Sequence, residues 1–405
     1  MFLLKRLFTS KVRSILGALG AIALISAPYW ILLNSLTGGL SEAEMQLQYQ
    51  VSSNQLSFSQ IIIEPFFLLY NLLLLALQTF SLPTMDNVRL VSAVFGTAGV
   101  IGFYYVAKTW YSPRVAILGS VLFGTATWTL FTARYASVEA SYLMLPALIA
   151  AWTWTIKSHY NYTAVITTAI LTISVLYIPG MIWLITPVLF WQFRNIAFFV
   201  TKLNPAHITA VFAVILVGIT PLIAAIVFPP ENSTGLSSFL TLLGLPQTIP
   251  AISAITESAS TNFMQIFVTS EPDNFRTIGT LPLIDVFTTA MIVIGLWTFY
   301  KEKMLDRGKI TIWYLLVGFT LASLSGQVYI TILLPVLYLI AATGLWSMLH
   351  QWLSVFPRNP FARPFGLFLM SAAIIVVSFF HLMSYFVAWP HTKAAVQAFH
   401  LSEKN

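Results

Sequence analysis

The sequence contains no cysteine, which excludes disulfides and thiolate metal sites. It also has little charge: 8% of its residues are charged, against 58% hydrophobic. Soluble domains are about a quarter charged, so an ordinary soluble fold is excluded. No GxxxxGK[ST] segment occurs, so no nucleotide-driven step is indicated. There is no nucleophilic serine or cysteine motif. No two of His159, His207, His350, His381, His391 and His400 form an HxH or HxxxH pair. The histidines therefore read as core or interfacial residues, and no metal site is indicated. No internal repeat or low-complexity tract is present.

What is present is apolar length. A first run, from about 14 to 36, follows Lys5, Arg6, Lys11 and Arg13. It has the charge pattern of a signal peptide. It is long enough to span, and more runs follow, so it reads as an uncleaved first helix. Further runs lie near 88–107, 114–132, 139–156, 162–177, 178–193, 207–228, 283–300, 310–325, 328–348 and 365–388. Repeated runs approaching the ~20 residues that cross a bilayer predict an all-α polytopic membrane protein with about 11 spans. Residues 62–80 are shorter and contain Asn71 and Gln78. They read as a helix lying in the outer interface.

Charge placement orients this scheme. With the N-terminus cytoplasmic and 62–80 interfacial, the inside receives 15 cations: Lys5, Arg6, Lys11, Arg13, Lys108, Arg114, Lys157, Arg194, Lys202, Lys301, Lys303, Arg307, Lys309, Arg358 and Arg363. The outside receives Arg89, Arg134, Arg276, Lys393 and Lys404. This is the positive-inside pattern. It accounts for the net charge of +7 without a nucleic-acid partner. Of the acids, only Glu302 and Asp306 fall inside. An outer face rich in carboxylates is where chemistry is expected. Two outer loops stand out, 37–87 and 229–282, the latter with apolar segments suited to surface helices. The inner loops are too short for a soluble domain, so 1–405 reads as one transmembrane domain. The tail after Trp389 reads as short, polar and external.

Glu42 and Glu44, in Gly38-Gly39-Leu40-Ser41-Glu42-Ala43-Glu44-Met45, lie just past the first span. Arg134 and Glu139 lie at the outer boundary after the third. A carboxylate at that depth can accept a hydroxyl proton, and an arginine fork can hold a phosphate. Arg276 and Arg89 are further phosphate candidates. The alternatives are plain: acids that mark the boundary, an Arg134–Glu139 pair snorkelling to the interface, Arg89 pairing with Asp86, and a solvated Arg276. Glu42 and Glu44 diverge by about 200° on a helix, so one of them points inward.

The order of these features resembles a family. It runs from the acidic loop to Glu64-Pro65, then Val88-Arg89-Leu90-Val91-Ser92-Ala93-Val94-Phe95-Gly96, Ser112-Pro113-Arg114-Val115-Ala116 and Arg134-Tyr135-Ala136-Ser137-Val138-Glu139. Over about residues 10–160 it resembles membrane glycosyltransferases of the GT-C fold, such as protein O-mannosyltransferases and lipid A aminoarabinose transferases. The resemblance implies a sugar donor on a polyprenyl phosphate and transfer on the outer face of a prokaryotic plasma membrane. It implies no cofactor beyond that lipid-linked substrate. It aligns the family's first-loop acid pair with Ser41-Glu42, and its second acid with Glu139. Serine thus stands where the family has its first aspartate, which makes Glu42 the favoured base, with Glu44 the alternative. Two other classes stay open: a transporter or flippase, and a non-catalytic protein that binds lipid-linked glycan.

Overall fold

The computed structural model describes residues 10–33, 39–53, 55–80, 87–158, 161–201, 204–229, 234–271, 274–302, 306–324 and 328–400. Among these residues there are helices and no strands. In order they are α1 (Ser10–Trp30), α2 (Glu42–Ser52), α3 (Phe58–Ile63), α4 (Leu68–Thr79), α5 (Val88–Trp110), α6 (Pro113–Thr125), α7 (Thr127–Arg134), α8 (Leu145–Lys157), α9 (Tyr162–Leu176), α10 (Met181–Val200), α11 (Pro205–Val227), α12 (Gly235–Leu243), α13 (Ile252–Phe267), α14 (Val286–Lys301), α15 (Asp306–Leu324), α16 (Leu334–Val355), α17 (Ala362–Met383) and α18 (Lys393–His400). Short 3-10 turns at Val138–Met144 and Ile330–Leu333 lead into α8 and α16. Every apolar run of the sequence contains a helix. By length and composition, four of the helical stretches can cross a membrane, or five if the bent pair α6–α7 counts as one.

Solvent exposure follows the logic of a bilayer. α16 is buried along most of its length, whereas α11 and α17 expose apolar side chains such as Phe212, Val217, Phe368 and Ile375. In water those faces would be unfavourable; against lipid tails they are matched. α14 and α16 cross where glycines face backbone. A methyl on Gly344 would lie 2.0 Å from the Met291 carbonyl oxygen, and one on Gly295 would lie 2.1 Å from that of Ile340. Small residues permit this approach, and with it the dispersion contacts that hold helices together in lipid.

Local signals set several ends. Ser41 and Glu44 form a capping box that starts α2. Ser112 caps α6, with Pro113 in its first turn. Asp285 caps α14. α4 has 12 residues, about 18 Å at helical rise, which is short of a crossing. It begins at Leu68 rather than at Glu64-Pro65, because Glu64 ends α3 and Phe67 takes a left-handed conformation. The 229–282 loop is filled by α12 and α13, and Asn262 on α13 donates to Ser323 on α15 at 3.3 Å.

The run at 114–132 reads as one continuous span in the sequence. The structure breaks it at Ala126, and the two halves bend by 63°. The cause lies in the backbone ladder. The Gly124 carbonyl accepts from the Tyr29 hydroxyl at 2.9 Å. The Thr127 amide turns to His381 Nδ1 at 3.4 Å. Side chains that insert into the hydrogen-bond ladder kink a helix.

The tail also departs from expectation. It is a helix, α18, whose Ala395 and Phe399 are buried. Phe399 lies over the Arg89 guanidinium, 5.8 Å from ring centroid to Cζ. The alternation of small and polar residues in 393–400 conceals this apolar stripe.

Candidate functional site

Two carboxylate–arginine pairs lie at the end of the molecule where α1 finishes and α5 begins. The first is enclosed. Glu44 is fully buried, and Arg89 grips it with Nε at 2.8 Å from Oε1 and Nη2 at 2.7 Å from Oε2. The Ala136 amide donates to Oε1 at 3.0 Å, and the Ser41 amide donates to Oε2 at 3.1 Å. Arg89 also donates to the carbonyls of Leu33 and Gly39. This cluster ties the end of α1, the start of α2, the first turn of α5 and the strand-like Tyr135-Ala136 segment into one knot. The structure thereby corrects the choice between the two acids. Glu44 points inward, and Glu42 is exposed. The capping box decides it, because the third helical residue must turn back on Ser41. Arg89 pairs with Glu44; Asp86 lies outside the described residues.

Arg134 does not pair with Glu139. It donates to the carbonyls of Pro28, Ile31 and Leu32, the latter two at 2.6 and 2.8 Å. Its Nε reaches the Tyr385 hydroxyl at 3.2 Å. A cation on the last carbonyls of a helix satisfies orphan acceptors and opposes the helix dipole. Arg134 is therefore a clamp on the end of α1, and its fork is occupied by backbone.

The second pair is open on one side. Glu139 is 7% exposed and ion-paired with Arg276, whose side chain is 38% exposed. The other carboxylate oxygen accepts from the Thr331 hydroxyl at 2.9 Å. Arg276 lies over the Tyr135 ring at 5.3 Å. Burial alone would lower its pKa, but the Glu139 carboxylate outweighs this and raises it, so it is a fixed cation. Tyr135 joins the two pairs, because its hydroxyl lies 2.9 Å from Ser41 Oγ.

Two clefts share Trp128, Leu283 and this arginine. One, of about 90 Å³, is lined by Glu139, Tyr135, Gln265, Asn274 and Thr331. The other, of about 180 Å³, is lined by Thr127, Asp285, His381 and Ser384. Glu44, Arg89 and Arg134 border only a void of about 10 Å³. The expected shared cavity is thus divided: Glu139 and Arg276 line the open part, Glu44, Arg89 and Arg134 close the inner wall, and Glu42 stands outside it.

The larger cleft holds a constellation that the sequence did not reveal. His381 Nε2 lies 3.0 Å from Asp285 Oδ2. Its Nδ1 lies 2.8 Å from the Thr127 hydroxyl. The Asp285 carboxylate also accepts from the Thr288 amide at 2.9 Å and from the Thr288 hydroxyl at 2.5 Å. The three residues are 254 and 96 positions apart. No short motif could connect them. The one local signal available was Asp285 as a cap residue inside the run at 283–300, and it was not read. Among the described residues, no three acidic or histidine side chains are grouped as a metal site requires. Compared with known proteins, the chain matches no family model and no curated protein.

Proposed function

We propose that this protein is a membrane glycosyltransferase that takes a sugar from a polyprenyl-phosphate donor, with the Arg276 clefts facing the outside of a prokaryotic plasma membrane. The observation that carries the reading is Arg276 itself: a half-exposed guanidinium, fixed by a buried carboxylate, at the junction of two clefts. Such a group can stabilise charge developing on a leaving phosphate. Phosphate is a competent leaving group, so the remaining need is a base for the acceptor hydroxyl. Glu139 orients Arg276 at the edge of both clefts. Glu44 and Arg134 hold the wall behind them. The apolar faces of α11 and α17 suit lateral arrival of a lipid donor. Eleven crossings of GT-C type match the eleven apolar runs, with 3-10 turns lengthening α8 and α16.

A non-catalytic lipid-glycan-binding role is the second reading. The pairing of both Glu44 and Glu139 with arginines favours it. Transfer of label from radiolabelled polyprenyl-phosphate sugars to membrane acceptors separates the two. Arg276→Ala should weaken polyprenyl-phosphate binding under either reading. Transfer by wild type, lost in Glu139→Gln, supports the enzyme; tight binding without transfer supports the other. Orientation is tested separately. Single cysteines replacing Ser253 and Lys309 in this cysteine-free chain should label from opposite sides of the membrane.

A further inference from the structure

We propose that Thr127, His381 and Asp285 form a relay that removes the proton from the sugar acceptor's hydroxyl. The proposal rests on the glycosyl-transfer reading above and assigns its missing base. Three elements build the relay: the first residue of α7, the last turn of α17 and the cap of α14. The helix break at Ala126 presents the Thr127 amide and hydroxyl together to one ring nitrogen. A backbone amide can only donate, so Nδ1 is an acceptor and Nε2 carries the proton toward Asp285. An imidazole held in one tautomer by a carboxylate, with its free nitrogen on a hydroxyl, is the arrangement that activates hydroxyls in acid–base catalysis.

The rival bases are poorly placed. The Glu44 oxygens are surrounded by Arg89, Ser41 and Ala136. The Glu139 oxygens face Arg276 and Thr331. Thr127, His381, Asp285 and Arg276 instead line one cleft of about 180 Å³, several times the ~30 Å³ of a water. In the step, the acceptor oxygen bonds to the sugar's anomeric carbon. The bond from that carbon to the phosphate oxygen breaks, and its electron pair leaves on polyprenyl phosphate beside Arg276. The acceptor proton passes to Thr127 Oγ, whose own proton moves to His381 Nδ1. Asp285 then faces an imidazolium. The proton leaves to water through the open side of the cleft.

The test uses the full-length protein in lipid nanodiscs. The probes are radiolabelled polyprenyl-phosphate hexoses and pentoses, with membrane extract as acceptor, and unlabelled polyprenyl monophosphate for binding. His381→Gln and Thr127→Val should each lower turnover by about 10²-fold or more, with polyprenyl monophosphate binding unchanged. Thr127→Ser should restore turnover to within a few-fold. Asp285→Asn should displace the acidic limb of the turnover pH profile. The charges that bear on that limb are Asp285 on α14 and Arg276, which lines the same cleft. Full turnover in Thr127→Val at an unchanged melting temperature overturns the relay. So does a loss in Thr127→Val that Thr127→Ser shares, since a purely steric tie would behave that way. A wild-type chain with neither transfer nor binding overturns the glycosyl-transfer reading and the relay with it.

Discussion

Glu44–Arg89 and Glu139–Arg276 are the same chemical pair in two settings. The first is sealed under Tyr385, Trp389 and Phe399. Backbone groups, Ser41, Leu33, Arg134 and aromatic side chains close around it, leaving a void of only about 10 Å³. The second has one partner buried and the other half in the open. The comparison teaches that an ion pair is assigned its work by its surroundings. A sealed pair with all its hydrogen bonds made fixes the positions of four chain segments. A pair with one free side presents charge to whatever enters the cleft.

The sharpest way to break this contrast is to remove one partner of the sealed pair. Glu44→Ala strands a buried guanidinium, and the expected loss of stability is about 3–5 kcal/mol. Thermal unfolding in detergent checks it. A melting temperature within a degree or two of wild type would show that the pair is not sealed. Replacing both partners with apolar residues of similar volume should cost much less.

Next comes Arg134→Met, which leaves the carbonyls at the end of α1 without their donor. The expected cost is about 2–3 kcal/mol. Hydrogen exchange should locate the loosening at residues 28–32. Exchange that rises around Glu139 instead would return Arg134 to the open site.

Glu139→Gln should cost only about 1 kcal/mol, because Arg276 is more than one-third exposed and the Thr331 hydroxyl can still donate to the amide oxygen. Its effect should appear in transfer rather than in unfolding. A stability loss as large as that of Glu44→Ala would erase the distinction between the two pairs.

Much of this was legible beforehand. The apolar runs gave the helices, because backbone groups in lipid must be satisfied within the segment. The caps at Ser112 and Asp285 were open to the same reasoning but went unread, and the run at 283–300 was drawn through Asp285. Glu44 against Glu42 was also decidable, since Ser41 with an acid three positions on is a capping box. The resemblance drew attention to Glu42 instead. Arg276 and Glu139 were singled out separately, one as a phosphate candidate and one as a carboxylate candidate, and only the fold pairs them. Arg134 was drawn to Glu139 by proximity in sequence. In the fold, α7 carries its side chain toward the end of α1.

By itself, the sequence determined that this chain is helical and that several of its helices are apolar enough for a membrane. These follow from composition and from period along the chain, which act locally. Only the tertiary structure decided which acid meets which arginine, that α6–α7 breaks at Ala126, and that Thr127, His381 and Asp285 meet. Those outcomes depend on packing between helices hundreds of residues apart. A charge finds its partner by the space left when apolar faces and close glycine contacts have fixed the backbones, and no spacing along the chain encodes that space.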